Sequence, residues 1–437
     1  MSTQAAEQPD ATQVGSYFIS NYPPFSTWGP DDLDAVRSTL TSPPDVDTPL
    51  GLYIHIPFCR KRCKFCYFRV FTDKNAEDVE RYLAAVTREV ELYSQQPSIA
   101  QRSLRFAYFG GGTPSFLSAA QLESLVERIT RLISWDAARE VTFECEPGTL
   151  QKHKLETIKR IGVTRLSLGV ENFDDTVLEV NGRAHLSKEI FRAYGWARDV
   201  GFDQINIDLI AGMVGETDSN WQACVRKTIE LAPESVTIYQ MELPYNTVFS
   251  RETNGGSGAV ADWPTKRAWV AFAFDALEQA GYRVSSGYTM VKDASDTRFE
   301  YRDSLWRGAD MLGVGVASFS HLGGMHVQNL DAWEDYVTAL SSGTLPLARA
   351  LKPTPHQRLI REFILQLKFG RTDVAPLGEK FGVDVLETFS EPLRHWRDEG
   401  MLTVDRTVIT LTRAGLLRVD GLLPAFFEPQ HQGIRYT

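Results

Sequence analysis

Three cysteines stand close together in FCRKRCKFCYF: Cys59, Cys63 and Cys66, spaced C-x3-C-x2-C. Three thiolates on one short loop can each ligate one iron of a [4Fe–4S] cluster, leaving the fourth iron for a small molecule. A structural zinc site asks for four closed ligands, and no second CxxC or HxxxH accompanies this loop. The remaining two of the five cysteines read as packing residues. Cys145 alternates with Val141 and Phe143, and Cys224 falls in the stripe Trp221, Cys224, Val225, Thr228, Ile229. A second feature is the run Tyr108-Phe109-Gly110-Gly111-Gly112-Thr113-Pro114-Ser115. Its glycines let the backbone approach a ligand closely.

These residues need elements to hold them. Short β-rich runs predict strands at 52–57, 105–109, 141–146, 165–171, 205–210 and 236–243, with amphipathic helices between them. One helix carries Val79, Leu83, Val86, Val90 and Tyr93; the next starts at Ser118, with Gln121 placed to complete a capping box. Six strand–helix alternations imply a parallel sheet with right-handed crossovers. Within the strands, apolar residues alternate with polar ones: Tyr53 and His55 oppose Leu52, Ile54 and Ile56, and Asn206 and Asp208 oppose Ile205, Ile207 and Leu209. A doubly wound sheet buried on both faces would read as continuous apolar runs. The fold class expected is therefore α/β, a partial (β/α)6 TIM-like barrel with helices outside and a polar interior. Chemistry is expected at the strand C-terminal ends.

The chain of 437 residues divides, on this reading, into an N-terminal arm (1–48, with a helix at 31–40), the barrel (49–290), a cavity-closing extension of loops and short strands (291–350) and a C-terminal winged-helix-like domain (351–437) with a final helix at 413–422. Hydrophobic residues make up 43% and charged residues 23%, an ordinary globular mix. The odd cysteine number argues against a secreted disulfide framework. The net charge of −10, and a C-terminal region without an Arg/Lys-rich recognition helix, argue against nucleic acid. The first residues lack a signal-peptide pattern and no apolar run is long enough for a membrane span, so a cytoplasmic protein is expected.

The cysteine spacing and the glycine motif resemble the radical S-adenosylmethionine (SAM) superfamily. LYIHIPFC, GGGTPS, FECEPGTL, RLSLGVENFDD, NGRAH, GFDQINIDLIAGM and LGVGVASFS are similar, in order, to the HemN-like subfamily of oxygen-independent coproporphyrinogen oxidases. The resemblance implies that Cys59, Cys63 and Cys66 hold the cluster, that Tyr53 packs near the sulfonium and that Tyr67 lies near the cluster or adenine. It implies that Gly111, Gly112 and Thr113 hold the amine and carboxylate end of SAM, and that Glu144, Arg183 and Asp208 complete the cofactor site. The implied chemistry is one-electron cleavage of SAM to methionine and a 5′-deoxyadenosyl radical, which abstracts a hydrogen atom. A reductant such as flavodoxin or ferredoxin is implied, with a small-molecule or peptide substrate.

The sequence departs from the oxidase pattern in three places, one of them the N-terminal arm, SYFISNYPPFSTW, which is only loosely similar to the oxidase's arm. Phe68 stands where the oxidases have a further cysteine, and Glu171 stands where they have glutamine. The departures count against porphyrinogen decarboxylation, and the reading taken is the related HemN-like branch in which a second SAM donates a methyl or methylene group to an sp2 carbon, as in C-methylation or cyclopropanation. On that reading Tyr53 and Glu171 serve the reaction, and His321 and His326, in SFSHLGGMH, transfer protons near the substrate. Oxidative decarboxylation of coproporphyrinogen is the alternative. A haem chaperone is a third reading, weakened because Tyr301-Arg302-Asp303-Ser304-Leu305-Trp306 stands where that branch has His-Asn-x-x-Tyr-Trp.

Overall fold

The computed structural model describes residues 18–242, 247–249, 260–292 and 297–434. Six strands run parallel and neighbour one another in sequence order: β1 (Leu50–Ile56), β2 (Leu104–Gly111), β3 (Glu140–Cys145), β4 (Arg165–Glu171), β5 (Gln204–Ala211) and β6 (Ser235–Gln240). Alternation decides their faces as expected. Leu52, Ile54, Ile56, Phe143, Leu166, Leu168, Ile205 and Ile207 are buried in one core against the helices. The intervening helices start where their caps permit. At Ser118 the side chain accepts from the Gln121 N–H at 3.2 Å while the Gln121 side chain accepts from the Ser118 N–H at 2.9 Å, the reciprocal box read from sequence. The last expected strand stops at Gln240, and its expected end at Leu243 lies outside the described residues.

The expected open edges are occupied. Among the described residues the sheet has twelve strands. Beyond β6 come β7 (Arg283–Val284) and β8 (Thr289–Val291), with β8 pairing antiparallel to β6. On the other side β9 (Asp310–Val314) lies parallel to β1, followed by antiparallel β10 (Phe319–Leu322), β11 (Met325–Asn329) and β12 (Leu347–Leu351). The short strands expected in the cavity-closing segment thus widen the sheet, and β1 becomes an interior strand. Its helix Glu300–Trp306 closes the lower end of the barrel. The backbone N–H groups of Glu300 and Tyr301 donate to the Glu140 carboxylate at the start of β3, and the Tyr301 ring packs on Phe106 and Tyr108.

Toward the C-terminus, helices Pro355–Leu367, Ala375–Phe381 and Ser390–Asp398 pack with a small sheet of β13 (Arg371–Asp373), β14 (Leu402–Asp405) and β15 (Val408–Leu411). The final helix expected over 413–422 is split into Arg413–Leu416 and Val419–Leu422. Arg418 leaves helical geometry between them (φ −120°, ψ 15°). The expected N-terminal helix spans Leu33–Thr41. The residues before it thread through the molecule: Lys368 Nζ donates to the Ile19 carbonyl at 2.5 Å, and Arg361 Nε to Asn21 Oδ1 at 2.6 Å. No described helix is long and apolar enough to cross a membrane.

Candidate active site

The site lies at the C-terminal ends of β1 to β5, where backbone groups and polar side chains of the barrel converge. Just after β1 the chain turns through Pro57 and Phe58 into the cysteine loop. The glycine run that ends β2 lies against that turn, with Gly112 N–H donating to the Ile56 carbonyl at 2.8 Å. A Cβ on Gly112 would stand 2.9–3.0 Å from backbone atoms of Ile56, Pro57 and Phe58, and one on Gly110 would meet Tyr53 and Tyr108 at about the same distance. Gly111 takes φ +113°, a conformation that side chains resist. The close approach seen here is to the chain's own β1 turn and to Tyr53 and Tyr108, whereas the sequence reading is of approach to a ligand. Gly112→Ala should therefore displace the cysteine loop, weakening SAM binding by at least about tenfold in equilibrium dialysis. Gly195→Ala is the matched control, since a Cβ there meets nothing within 4 Å and helix propensity improves.

Two chains of contacts join the sequence-selected residues. Tyr53 stacks on Tyr108 with centroids 5.8 Å apart. Tyr108 donates its hydroxyl to Glu144 Oε1 at 2.6 Å, and the Gly111 N–H donates to Glu144 Oε2 at 3.3 Å. On the loop side, Cys59 Sγ lies 3.3 Å from Thr113 Oγ1. Arg183 donates through Nη1 to Cys63 Sγ at 3.2 Å and through Nη2 to the Gly169 carbonyl at 2.6 Å, and stands 3.5 Å from Glu171 Oε1. Asp208 accepts from Ser167 Oγ and Asn206 Nδ2, each at 2.8 Å. Tyr67 is 40% exposed on the loop and packs against Phe68.

The electrostatics of the mouth are set by crowded acids. Burial pushes Glu144 up to about 7, with the charge of Asp208 adding to it against the Tyr108 hydrogen bond. Burial also lifts Glu171 to about 7, where Arg183 pulls down and Asp208 and Glu144 push up. Asp208 is raised as well, chiefly by burial. Glu171 sits at φ +64°, beside a register shift between β4 and β5, and a non-glycine residue in that region is strained. By contrast, Glu146 resists its own burial and falls to about 2, held ionised by His185 at 2.7 Å and Arg60 at 2.9 Å.

The two histidines expected near the substrate are placed elsewhere. His321 and His326 are 7% and 0% exposed, with their Nδ1 atoms 3.1 Å apart. His326 Nε2 lies 3.0 Å from the Tyr22 carbonyl, and its ring stacks on Trp28 of the N-terminal segment. Burial and the nearby Arg361 hold both rings neutral. They hold the arm against β10 and β11 and make no hydrogen bond to the mouth residues, so they are not retained as proton-transfer groups. Sequence reasoning passed over Tyr108, which lay inside the quoted glycine motif, and Glu146 with His185, which lay inside FECEPGTL and NGRAH. The strand parity of Tyr108 with Gly110 was the signal available for the first. Nothing local pairs Glu146 with a histidine 39 residues away.

The residues fit the implied groups. Cys59, Cys63 and Cys66 are free, partly buried thiols on one loop. No three His, Cys, Asp or Glu side chains among the described residues converge on one ion-sized point; a cluster asks instead for one thiolate on each of three irons. Arg62 Nε and Arg183 Nε are buried beside the loop without a hydrogen-bond partner among the described residues, so donors stand ready for an anionic group. Three raised carboxyls facing one mouth suit a cationic ligand such as a sulfonium or ammonium.

Residues 53–227 match the sequence model of the Radical SAM superfamily. The architecture extends the match: the solved structure of coproporphyrinogen III oxidase (HemN) from Escherichia coli superposes with a TM-score of 0.81 at 24% identity, covering 94% of this chain and 96% of that one. The chain thus contains a stretch similar to the Radical SAM superfamily, set in the same fold as that solved structure. Two curated relatives align along most of the chain. The haem chaperone HemW of Bacillus subtilis is 26% identical over 86% of this chain and 98% of its own length. The oxygen-independent coproporphyrinogen III oxidase of Pseudomonas aeruginosa is 28% identical over 91% and 88%. Both relatives, and the solved structure, are coproporphyrinogen III oxidase or HemW proteins to which this chain is similar.

Proposed function

We propose that the protein is a radical SAM enzyme in which Cys59, Cys63 and Cys66 hold a [4Fe–4S] cluster. SAM then sits between the glycine run, Glu144, Asp208 and Arg183. The observation that carries this reading is the joining, through Arg183 and Thr113, of a three-thiol loop to a mouth lined by raised carboxyls. When bound, the two groups supply reductive cleavage of SAM and, from it, hydrogen-atom abstraction. The chain's own residues do the positioning. Arg183 offers its guanidinium to the SAM carboxylate while holding Cys63 and Glu171. Glu144, tied to Tyr108 and Gly111, receives the ammonium or ribose hydroxyls. Tyr53, Tyr108 and Tyr301 stack into an aromatic wall that excludes water from below.

Two finer readings follow. The oxidase relatives favour oxidative decarboxylation of a porphyrinogen. Glu171 and Phe68 favour one-carbon transfer from a second SAM, because Glu171 adds a third carboxyl to the mouth and a second sulfonium would complement it. A haem chaperone is disfavoured: the segment 301–306 is an internal helix in which Arg302 and Trp306 are 6% and 7% exposed. The experiment is anaerobic turnover with methyl-deuterated SAM and dithionite. Deuterium in 5′-deoxyadenosine together with S-adenosylhomocysteine is the result expected for one-carbon transfer. Carbon dioxide from coproporphyrinogen without either identifies the oxidase. Absence of 5′-deoxyadenosine from cluster-loaded protein refutes the radical reading altogether.

A further inference from the structure

We propose that the cavity at the lower end of the barrel is a binding site for a phosphate group, free or carried on a small molecule. It lies at the N-terminal ends of the strands, the end opposite to the cysteine loop, and the function proposed above does not use it. Neighbouring strands bring arginines there: Arg105 is the second residue of β2, Arg139 immediately precedes β3 and Arg165 opens β4. The Arg139 N–H donates to the Arg105 carbonyl at 2.8 Å, so these two are held side by side. Arg298 and Arg307 flank the helix Glu300–Trp306 that closes this end. The cavity measures about 380 Å³, within the range of about 300–1,000 Å³ that small ligands fill, and Arg105, Arg139, Arg298 and Arg307 line it against Glu300 and Asp303. Both carboxylates are already engaged, Glu300 by Arg105 and Asp303 by Arg302, each at 2.6 Å. Arg139, Arg298 and Arg307 make no ion pair among the described residues; Arg307 offers one N–H to the Asp303 carbonyl at 3.4 Å. Positive charge is therefore left over in this cavity, in a chain that carries −10 overall.

Unmet donors behind the cavity wall are the second argument. Arg302 is 6% exposed, and its Nη2 donates to Ser285 Oγ, on the cavity lining, at 2.8 Å. Its Nη1 is buried without a hydrogen-bond partner among the described residues. Arg165 is 1% exposed, and its Nε and Nη1 are likewise unpartnered. Both guanidinium groups lie over the Phe299 ring, 4.0 Å (Arg165) and 5.4 Å (Arg302) from its centroid. Two buried cations with unmet donors raise the potential at this end of the barrel, and an anion in the cavity lowers their cost. Phosphate is the class that fits. It offers three terminal oxygens to planar, forked donors, where a carboxylate offers two.

The test is isothermal titration calorimetry of the anaerobically reconstituted full chain with inorganic phosphate and with glycerol 3-phosphate, at constant ionic strength set by potassium chloride. A dissociation constant below about 1 mM is expected for at least one probe. Arg139→Gln with Arg298→Gln should weaken that binding at least about tenfold. Both side chains are exposed and unpaired among the described residues, so the melting temperature without probe should not change. Arg139→Lys with Arg298→Lys keeps the charge but loses the forks, and its affinity should fall between the two. Lys61→Gln with Arg192→Gln removes the same charge from the separate cavity beside the cysteine loop and should weaken binding less than about twofold. Tighter binding of glycerol 3-phosphate identifies a phosphorylated small molecule as the ligand; equal or weaker binding identifies free phosphate. Failure of both probes to bind, undiminished binding in the first variant, or an equal loss at the separate cavity overturns the proposal.

Discussion

Replacing Cys59, Cys63 and Cys66 together by alanine is expected to reduce bound iron from about four per chain to near zero and to abolish 5′-deoxyadenosine formation. The size of the effect follows from the inventory of thiols. Cys145 and Cys224 are 5% and 2% exposed in the helix-packed core, facing away from the barrel mouth, and cannot stand in as ligands. The fold should survive, because the three thiols sit on a loop and contribute little to the core. A retained far-ultraviolet circular dichroism spectrum, with iron and labile sulfide lost, is the expected outcome. Four irons remaining in the triple variant would falsify the ligand assignment.

The second large effect concerns stability. Glu89 is fully buried and accepts hydrogen bonds from the Gly315 N–H at 2.8 Å, Asn329 Nδ2 at 2.6 Å and the Tyr336 hydroxyl at 2.6 Å. One side chain thereby ties the helix Ala76–Ser94 to the turn after β9, to β11 and to the helix Trp333–Ser341. Glu89→Ala leaves three donors facing a void. At about 1–3 kcal/mol for each unsatisfied buried group, and with Asn329 keeping two other acceptors, the loss should reach about 4 kcal/mol. Glu89→Gln keeps an acceptor and should lose less. Urea unfolding midpoints decide the comparison, and equal midpoints for Glu89→Ala and the unaltered protein would exclude the network's role.

The same residue predicts a pH dependence. Burial raises the Glu89 carboxyl from about 4.5 to about 7 against its three hydrogen bonds. Between those values the folded chain binds more protons than the unfolded one, so this contribution to stability is complete below about 4.5 and is lost as pH rises to about 7. Glu89→Gln should remove that slope from the stability profile.

Much of the candidate site was legible because its signals are local. C-x3-C-x2-C is one loop, the glycine run is one strand end, and strand alternation separates Glu144 and Asp208 from the apolar residues beside them. Glu89 was not legible. It lies among Val86, Val90 and Tyr93 on a helix whose apolar stripe is clear, and a lone glutamate in such a pattern reads as solvated. Its partners Gly315, Asn329 and Tyr336 are more than 200 residues away. The histidines show the converse. His321 and His326 lie in a glycine-rich stretch that reads as a loop near the substrate, but β10 and β11 pair them and the N-terminal segment covers them.

Period and spacing along the chain were enough for the six-strand alternation, the polar interior and the three-thiol loop, because each depends on neighbours within a few residues. Tertiary structure alone decided that β9 adds to β1, that Arg183 joins Cys63 to Glu171, and that Glu146 is paired with His185. Those are contacts between segments tens to hundreds of residues apart. They are set by how the helices and strands pack and by the need to satisfy buried charges, and neither constraint leaves a period in the sequence.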